Sequence, residues 1–149
     1  MCALLHLKYR PNDALAAVMG KWLASIVVRE GWQPTVILPV PLGRERLRRR
    51  GYNQAALIAA HLAASLDLPS SEAALTRIRE TRSQVRLDGK ARERNVAGAF
   101  QADARILRES TVCLVDDLCT TGATLMACGH ACVEADARAV YGLTVARAG

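Results

Sequence analysis

Two adjacent carboxylates, Asp116 and Asp117, follow the apolar run Val112-Cys113-Leu114-Val115, and Thr120-Thr121-Gly122-Ala123-Thr124 comes shortly behind them. A strand cannot bury both acids without partners, so both are expected to project from its carboxyl edge. There they can accept hydrogen bonds from two neighbouring hydroxyls, as a cis diol presents them. The threonine and glycine run opens a helix, whose unpaired first-turn N–H groups and dipole favour a phosphate. The hydroxyls of Thr120, Thr121 and Thr124 add donors, and Gly122 lets the backbone come close. A diol acceptor and a phosphate cradle a few residues apart describe a site for a ribose 5-phosphate. Taken singly, Asp117 and Thr121 can simply cap a turn and a helix. The order of acids, threonines and glycine behind a buried strand is what points to a ligand. Competing phosphate loops do not fit, because there is no GxxxxGK[ST] and no GxGxxG after a strand.

The elements that must position this loop are legible from periodicity. Leu15, Val18, Met19, Trp22, Leu23 and Ile26 recur at steps of three and four, which predicts a helix over 13–29 with those residues on its buried face. Thr35-Val36-Ile37-Leu38-Pro39-Val40-Pro41 reads as a buried strand whose prolines limit its pairing. Asn53 is a good cap for an alanine-rich helix to about residue 66, and 73–76 is a weak strand. The basic stretch from Arg79 to Asn95 has few apolar residues and is expected to be a mobile surface loop with a short helical turn. Strand 112–115, helix 122–135 and strand 140–145 form a βαβ unit, its helix packing through Leu125, Cys128 and Cys132, with Gly129 permitting close approach to the sheet. Alternation of this kind implies a parallel sheet with crossover helices on its faces. Ligands in such sheets bind beyond the carboxyl ends of the strands.

At 149 residues the chain has the length of one domain. Its apolar runs fall short of the ~20 residues that cross a bilayer, so no membrane span is expected. The first ten residues place positive charge behind a short apolar stretch, the reverse of a signal peptide, and a cytoplasmic location is expected. Five cysteines, at 2, 113, 119, 128 and 132, make no CxxC pair and suggest neither a disulfide framework nor a zinc knuckle. Cys128 and Cys132 read as small buried hydrophobes. Cys119 lies beside the anion site, where a thiol pKa can fall, although loop packing is the simpler reading. The net charge of +6 is regional. Residues 44–50 carry five arginines against one glutamate, net +4, and residues 77–94 carry six arginines and one lysine against three acids, again net +4, leaving the remainder at −2. Both segments are placed to meet an anion, either nucleic acid or a polyphosphate small molecule.

The segment Val115-Asp116-Asp117-Leu118-Cys119-Thr120-Thr121-Gly122-Ala123-Thr124 closely resembles the phosphoribosyl pyrophosphate binding motif of type I phosphoribosyltransferases. Four further segments resemble one branch of these, the competence protein F (ComF/GntX-like) family. They are Leu7-Lys8-Tyr9-Arg10, Pro39-Val40-Pro41-Leu42, Arg50-Gly51-Tyr52-Asn53-Gln54, and Thr81-Arg82-Ser83-Gln84 with Arg92, Asn95-Val96 and Phe100. The resemblance covers nearly the whole chain. It implies an α/β fold, a type I phosphoribosyltransferase-like parallel sheet flanked by helices, with a small hood. It implies that Asp116 and Asp117 hold the ribose hydroxyls, that Thr120, Thr121, Gly122, Ala123 and Thr124 hold the 5-phosphate, and that Pro41, Leu42, Gly43 and Arg44 form the pyrophosphate loop. Arg82 and Gln84 are the catalytic candidates, in the place of a mobile loop that closes over the reaction centre and excludes water. Among the arginines, Arg44 and Arg82 are the better placed, while Arg46, Arg48 and Arg49 can face water.

The activity so implied is transfer of the phosphoribosyl group to an acceptor with loss of pyrophosphate. Mg²⁺ would arrive on the substrate pyrophosphate rather than in a protein metal site. The alternative is a non-catalytic module that senses phosphoribosyl pyrophosphate or a nucleotide, with DNA or a DNA-uptake protein as partner. A homo-oligomer is expected in either case. Members usually begin with a four-cysteine zinc ribbon, a segment not found in this sequence, and Cys2 alone cannot hold zinc tetrahedrally.

Overall fold

The computed structural model describes residues 11–81 and 89–148. Asn12 caps the first helix, α1 (Asp13–Arg29), its side-chain oxygen accepting from the N–H of Leu15 at 3.0 Å. Asp13 in the first turn and Arg29 in the last complement the helix dipole. There follow β1 (Val36–Pro39), α2 (Arg44–Arg50), α3 (Gln54–Leu66), β2 (Leu75–Arg77), α4 (Gly89–Val96), β3 (Phe100–Ala102), α5 (Ala104–Leu107), β4 (Thr111–Cys119), α6 (Ala123–Glu134) and β5 (Ala139–Arg147). β1, β4 and β5 form a parallel sheet in that order. The segment at Ser70 lies along the outer edge of β1, with the Ile37 N–H donating to the Pro69 carbonyl at 3.0 Å. β2 and β3 pair antiparallel in a separate two-stranded sheet, which packs with α4 against α6. The architecture is the α/β, helix-flanked parallel sheet expected from the strand and helix alternation.

Strand alternation gives each side of the sheet its own core. Val112 and Leu114 of β4 join Val36, Leu38 and Val140 beneath α6, the β2–β3 pair and α4. Cys113 and Val115 join Ile37 and Leu143 beneath α1 and α3. No helix of the described residues is long and apolar enough to cross a membrane.

The buried face of α1 differs from the predicted one. Ala16, Met19, Gly20, Leu23, Ala24 and Val27 are buried, whereas Val18 and Trp22 are 65% and 51% exposed. Small residues decide the outcome, since they let α1 lie close against the alanine-rich α3. A Cβ on Gly20 would stand 2.6 Å from His61 Cβ and 2.7 Å from the Leu62 backbone nitrogen. Gly129 does not have the close-approach role expected of it, because a Cβ there would meet Val140 Cγ1 at 3.9 Å, an ordinary contact. Gly20→Ala is therefore expected to cost roughly 1–3 kcal/mol through overpacking. Gly129→Ala should instead stabilise by about 0.5–1 kcal/mol through helix propensity. Urea denaturation of the two variants reads both signs, and a Gly20→Ala protein as stable as wild type would contradict the close helix contact.

Cys113, Cys128 and Cys132 are fully buried, as small hydrophobes. Burial pushes the Cys113 thiol up to about 12 and that of Cys132 to about 11, from an ordinary 9.0. Cys128 is raised well above the ordinary range, by burial first and then by the neighbouring Asp116 charge. Because the folded values lie above the unfolded one, the stability these thiols contribute is complete below pH 9 and is lost progressively as pH rises toward 12. Unfolding free energy measured against pH should fall across that window. A Cys113→Ala/Cys128→Ala/Cys132→Ala variant should lose that part of the slope.

Candidate functional site

β4 does not end where its apolar run ends. β5 accompanies it to the Cys119–Arg147 pair, with Asp116 opposite Thr144 and Leu118 opposite Ala146. The two acids therefore lie within a strand and, instead of projecting together from its edge, point to opposite faces. Asp117 follows Cys113 and Val115 toward α3, where it is 8% exposed and Oδ2 accepts from Gln54 Nε2 at 2.8 Å. Gln54 is itself 4% exposed, and its Oε1 accepts from Arg50 Nη1 at 3.0 Å. Asp116 follows Val112 and Leu114 to the α6 side, half-buried, with Oδ1 accepting the N–H of Asp117 at 2.8 Å.

The relay from Arg50 through Gln54 to Asp117 gives the Arg50-Gly51-Tyr52-Asn53-Gln54 segment a structural meaning. Gly51, at φ +78, closes α2 in the left-handed conformation that glycine adopts most readily. Asn53 starts α3 by accepting from the Ala55 N–H at 3.1 Å, and its Nδ2 donates to the Val40 carbonyl at 3.0 Å. The turn between the helices is thereby tied to the end of β1, and Gln54 is delivered beneath β4.

The loop after β4 has Thr120 half-buried and Thr121 exposed, the Thr121 hydroxyl accepting from the Ala123 N–H at 3.4 Å. Gly122 is the N-terminal cap of α6 at φ +84. A Cβ there would meet only Cys119 Sγ, at 4.0 Å, so conformation rather than space selects glycine. Asp116, Cys119, Thr120, Gly122, Ala123 and Thr124 enclose a small hollow of about 40 Å³ with Leu118 and Leu125.

That hollow adjoins a larger cleft of about 220 Å³ at the carboxyl ends of β1 and β4, the position where open α/β sheets take ligands. Pro41 and Leu42 line the cleft, as do Asp116, Asp117, Thr120 and Thr124. Gly43 is buried under Glu80, whose Oε1 accepts from the Arg44 N–H at 2.6 Å. The Arg44 side chain is exposed and does not line the cleft. Arg46 and Arg50, four residues apart on α2, turn toward the cleft instead, and Arg48 and Arg49 face water. Arg77 at the end of β2 completes the basic wall. Arg46, expected to face water, lines the cleft instead. Sequence reasoning assigned Arg50, Gln54 and Arg77 no part in the site, although Arg50 and Gln54 belong to the Arg50-Gly51-Tyr52-Asn53-Gln54 segment. The four-residue spacing of Arg46 and Arg50 was the available signal once 44–50 is recognised as a helix. Arg82 and Gln84 lie outside the described residues, as do all of 82–88 in the predicted mobile loop, of which α4 is the helical part.

No family model matches the chain. Over 128 residues it is 34% identical to the DNA utilization protein YhgH of Escherichia coli (strain K12), covering 82% of this chain and 56% of that protein. Over 94 residues it is 40% identical to Competence protein F of Haemophilus influenzae, covering 62% of this chain and 41% of that one. The chain thus spans about half the length of the curated relatives it matches. Among solved structures, the glutamine phosphoribosylpyrophosphate amidotransferase from B. subtilis superposes with a TM-score of 0.61 at 16% identity, over 95% of this chain and 30% of that one. Adenine phosphoribosyltransferase from Leishmania donovani gives 0.56 at 19% identity, over 93% and 54%. These two likenesses concern the fold.

Proposed function

We propose, for a chain that is a homologue of the competence protein F and YhgH proteins and has the fold of type I phosphoribosyltransferases, that it binds phosphoribosyl pyrophosphate and transfers the phosphoribosyl group to an acceptor. The observation that carries this reading is one cleft at the carboxyl ends of β1 and β4 that is lined by Asp116, Asp117, Thr120 and Thr124 together with Arg46, Arg50 and Arg77. In this reading the Asp116 and Asp117 carboxylates accept from the ribose hydroxyls, and residues 120–124 hold the 5-phosphate against the start of α6. Pro41 and Leu42 border the pyrophosphate, and Arg82 and Gln84, in the segment between β2 and α4, are the candidates for contacts at the reaction centre.

The reaction breaks the bond from ribose C1 to the pyrophosphate oxygen and forms one from C1 to the acceptor nucleophile, whose proton is lost. The chain's part is to position the ribose and to stabilise charge on the departing group. Magnesium bound with the substrate pyrophosphate would neutralise part of that charge. Calorimetric titration of phosphoribosyl pyrophosphate with magnesium should give saturable binding, and pyrophosphate should be released with one of a panel of bases and amines. Absence of binding would sink the reading.

A second reading is favoured by the outer face of α2, where Arg44, Arg48 and Arg49 are exposed, and by the names of the relatives, which concern DNA utilization and competence. Here the cleft binds its ligand without turnover and the outer arginines meet DNA or a DNA-uptake protein. Binding without pyrophosphate release, together with DNA affinity that falls by roughly 0.9 log units per phosphate contact for each tenfold rise in salt, is its signature.

A further inference from the structure

We propose that Arg77 is the residue that anchors the leaving pyrophosphate, an inference that rests on the reading above. Arg77 faces Phe100 across the β2–β3 pair, with its guanidinium carbon 5.4 Å from the ring centroid. An arginine stacked on an aromatic ring is held in a defined orientation. Its Nη2 donates to Thr81 Oγ1, while Nε is buried with no hydrogen-bond partner. Among the described residues, no carboxylate forms an ion pair with it. A half-buried guanidinium with no ion-paired carboxylate among the described residues, only the more distant charge of Glu80 acting on it, is an electrostatic cost to the chain. Burial, and after it the charge of nearby Arg46, holds its pKa below the usual arginine range, while Glu80 acts in the opposite sense. An anion in the cleft relieves both effects.

The position of Arg77 identifies the anion. The small hollow in the loop after β4 offers hydroxyls, backbone and a helix start but no arginine, which suits a phosphate monoester. Arg77, Arg46 and Arg50 line the larger cleft alone, which suits the more highly charged diphosphate. Asp116 borders both spaces. A ribose held there extends its 5-phosphate into the first space and its C1 substituent into the second.

The test titrates three probes, phosphoribosyl pyrophosphate with magnesium, ribose 5-phosphate, and inorganic pyrophosphate, into wild type, Arg77→Gln, Arg77→Lys and Arg46→Gln. Arg77→Gln should weaken the two pyrophosphate-containing probes by at least about tenfold, the loss of a charge-assisted contact, and leave ribose 5-phosphate within about twofold. Arg77→Lys should recover part of the loss, since it keeps the charge without the planar fork. If the Arg77 variants do not fold, Arg46→Gln, on the surface of α2, should show the same selective loss. Equal weakening of all three probes, or none, overturns the proposal while leaving the reading of the cleft in place. Wild type that binds none of the probes overturns both.

Discussion

Gln54→Leu is expected to destabilise the chain by about 3 kcal/mol, since it removes the partner of a buried carboxylate while leaving the charge in place. The magnitude follows from burial, because Gln54 and Asp117 are 4% and 8% exposed. Arg50 loses its acceptor in the same step. Removing both partners behaves differently, because two apolar side chains of similar shape leave no buried carboxylate unpaired. Gln54→Leu/Asp117→Leu should therefore recover most of the lost stability and still bind no phosphoribosyl pyrophosphate. Chemical denaturation of the two single variants and the double closes the cycle. A Gln54→Leu protein within about 0.5 kcal/mol of wild type, the range of ordinary surface substitutions, would show that the relay does not hold Asp117.

Asp116→Asn should have the opposite profile, a large loss of binding with little loss of stability. Asp116 is half-buried, and its Oδ1 accepts the Asp117 N–H, a bond that an asparagine oxygen can keep. On the proposed reading the variant weakens the acceptor offered to the ribose hydroxyls, and hydrogen bonds to charged groups of about 1.5–3 kcal/mol correspond to roughly 10- to 100-fold in affinity. Phosphoribosyl pyrophosphate and ribose 5-phosphate should both weaken by that factor. Inorganic pyrophosphate, which has no ribose, should bind Asp116→Asn as it binds wild type. Unchanged binding of ribose 5-phosphate would remove Asp116 from the ribose site.

The two variants differ because the two acids, adjacent in sequence, face opposite sides of one strand. That separation was nearly legible. Period-two alternation assigns 112, 114 and 116 to one face and 113, 115 and 117 to the other, but only if the strand continues past Val115. Polar side chains hid the continuation, which depends on β5 running alongside to Arg147. The α1 face was misread for a related reason. Periodicity ranks large apolar residues highest, while close helix packing here selects Ala16, Gly20 and Ala24 and leaves Val18 and Trp22 to solvent. The arginines were legible as two charged segments. Which of them enter the cleft was not, because that depends on the rotation of a seven-residue helix and on a cross-strand pairing of Arg77 with Phe100.

By itself the sequence determined the class of fold and pointed to a ribose phosphate as ligand, since both readings rest on local order: a buried run, then acids, then threonines and a glycine opening a helix. The tertiary structure decided which way each acid faces. Gln54 reaches Asp117 from sixty-three positions away, and contacts of that span arise only when helix and sheet pack together. The same packing buries Asp117 and leaves Asp116 at the border of the hollow and the cleft.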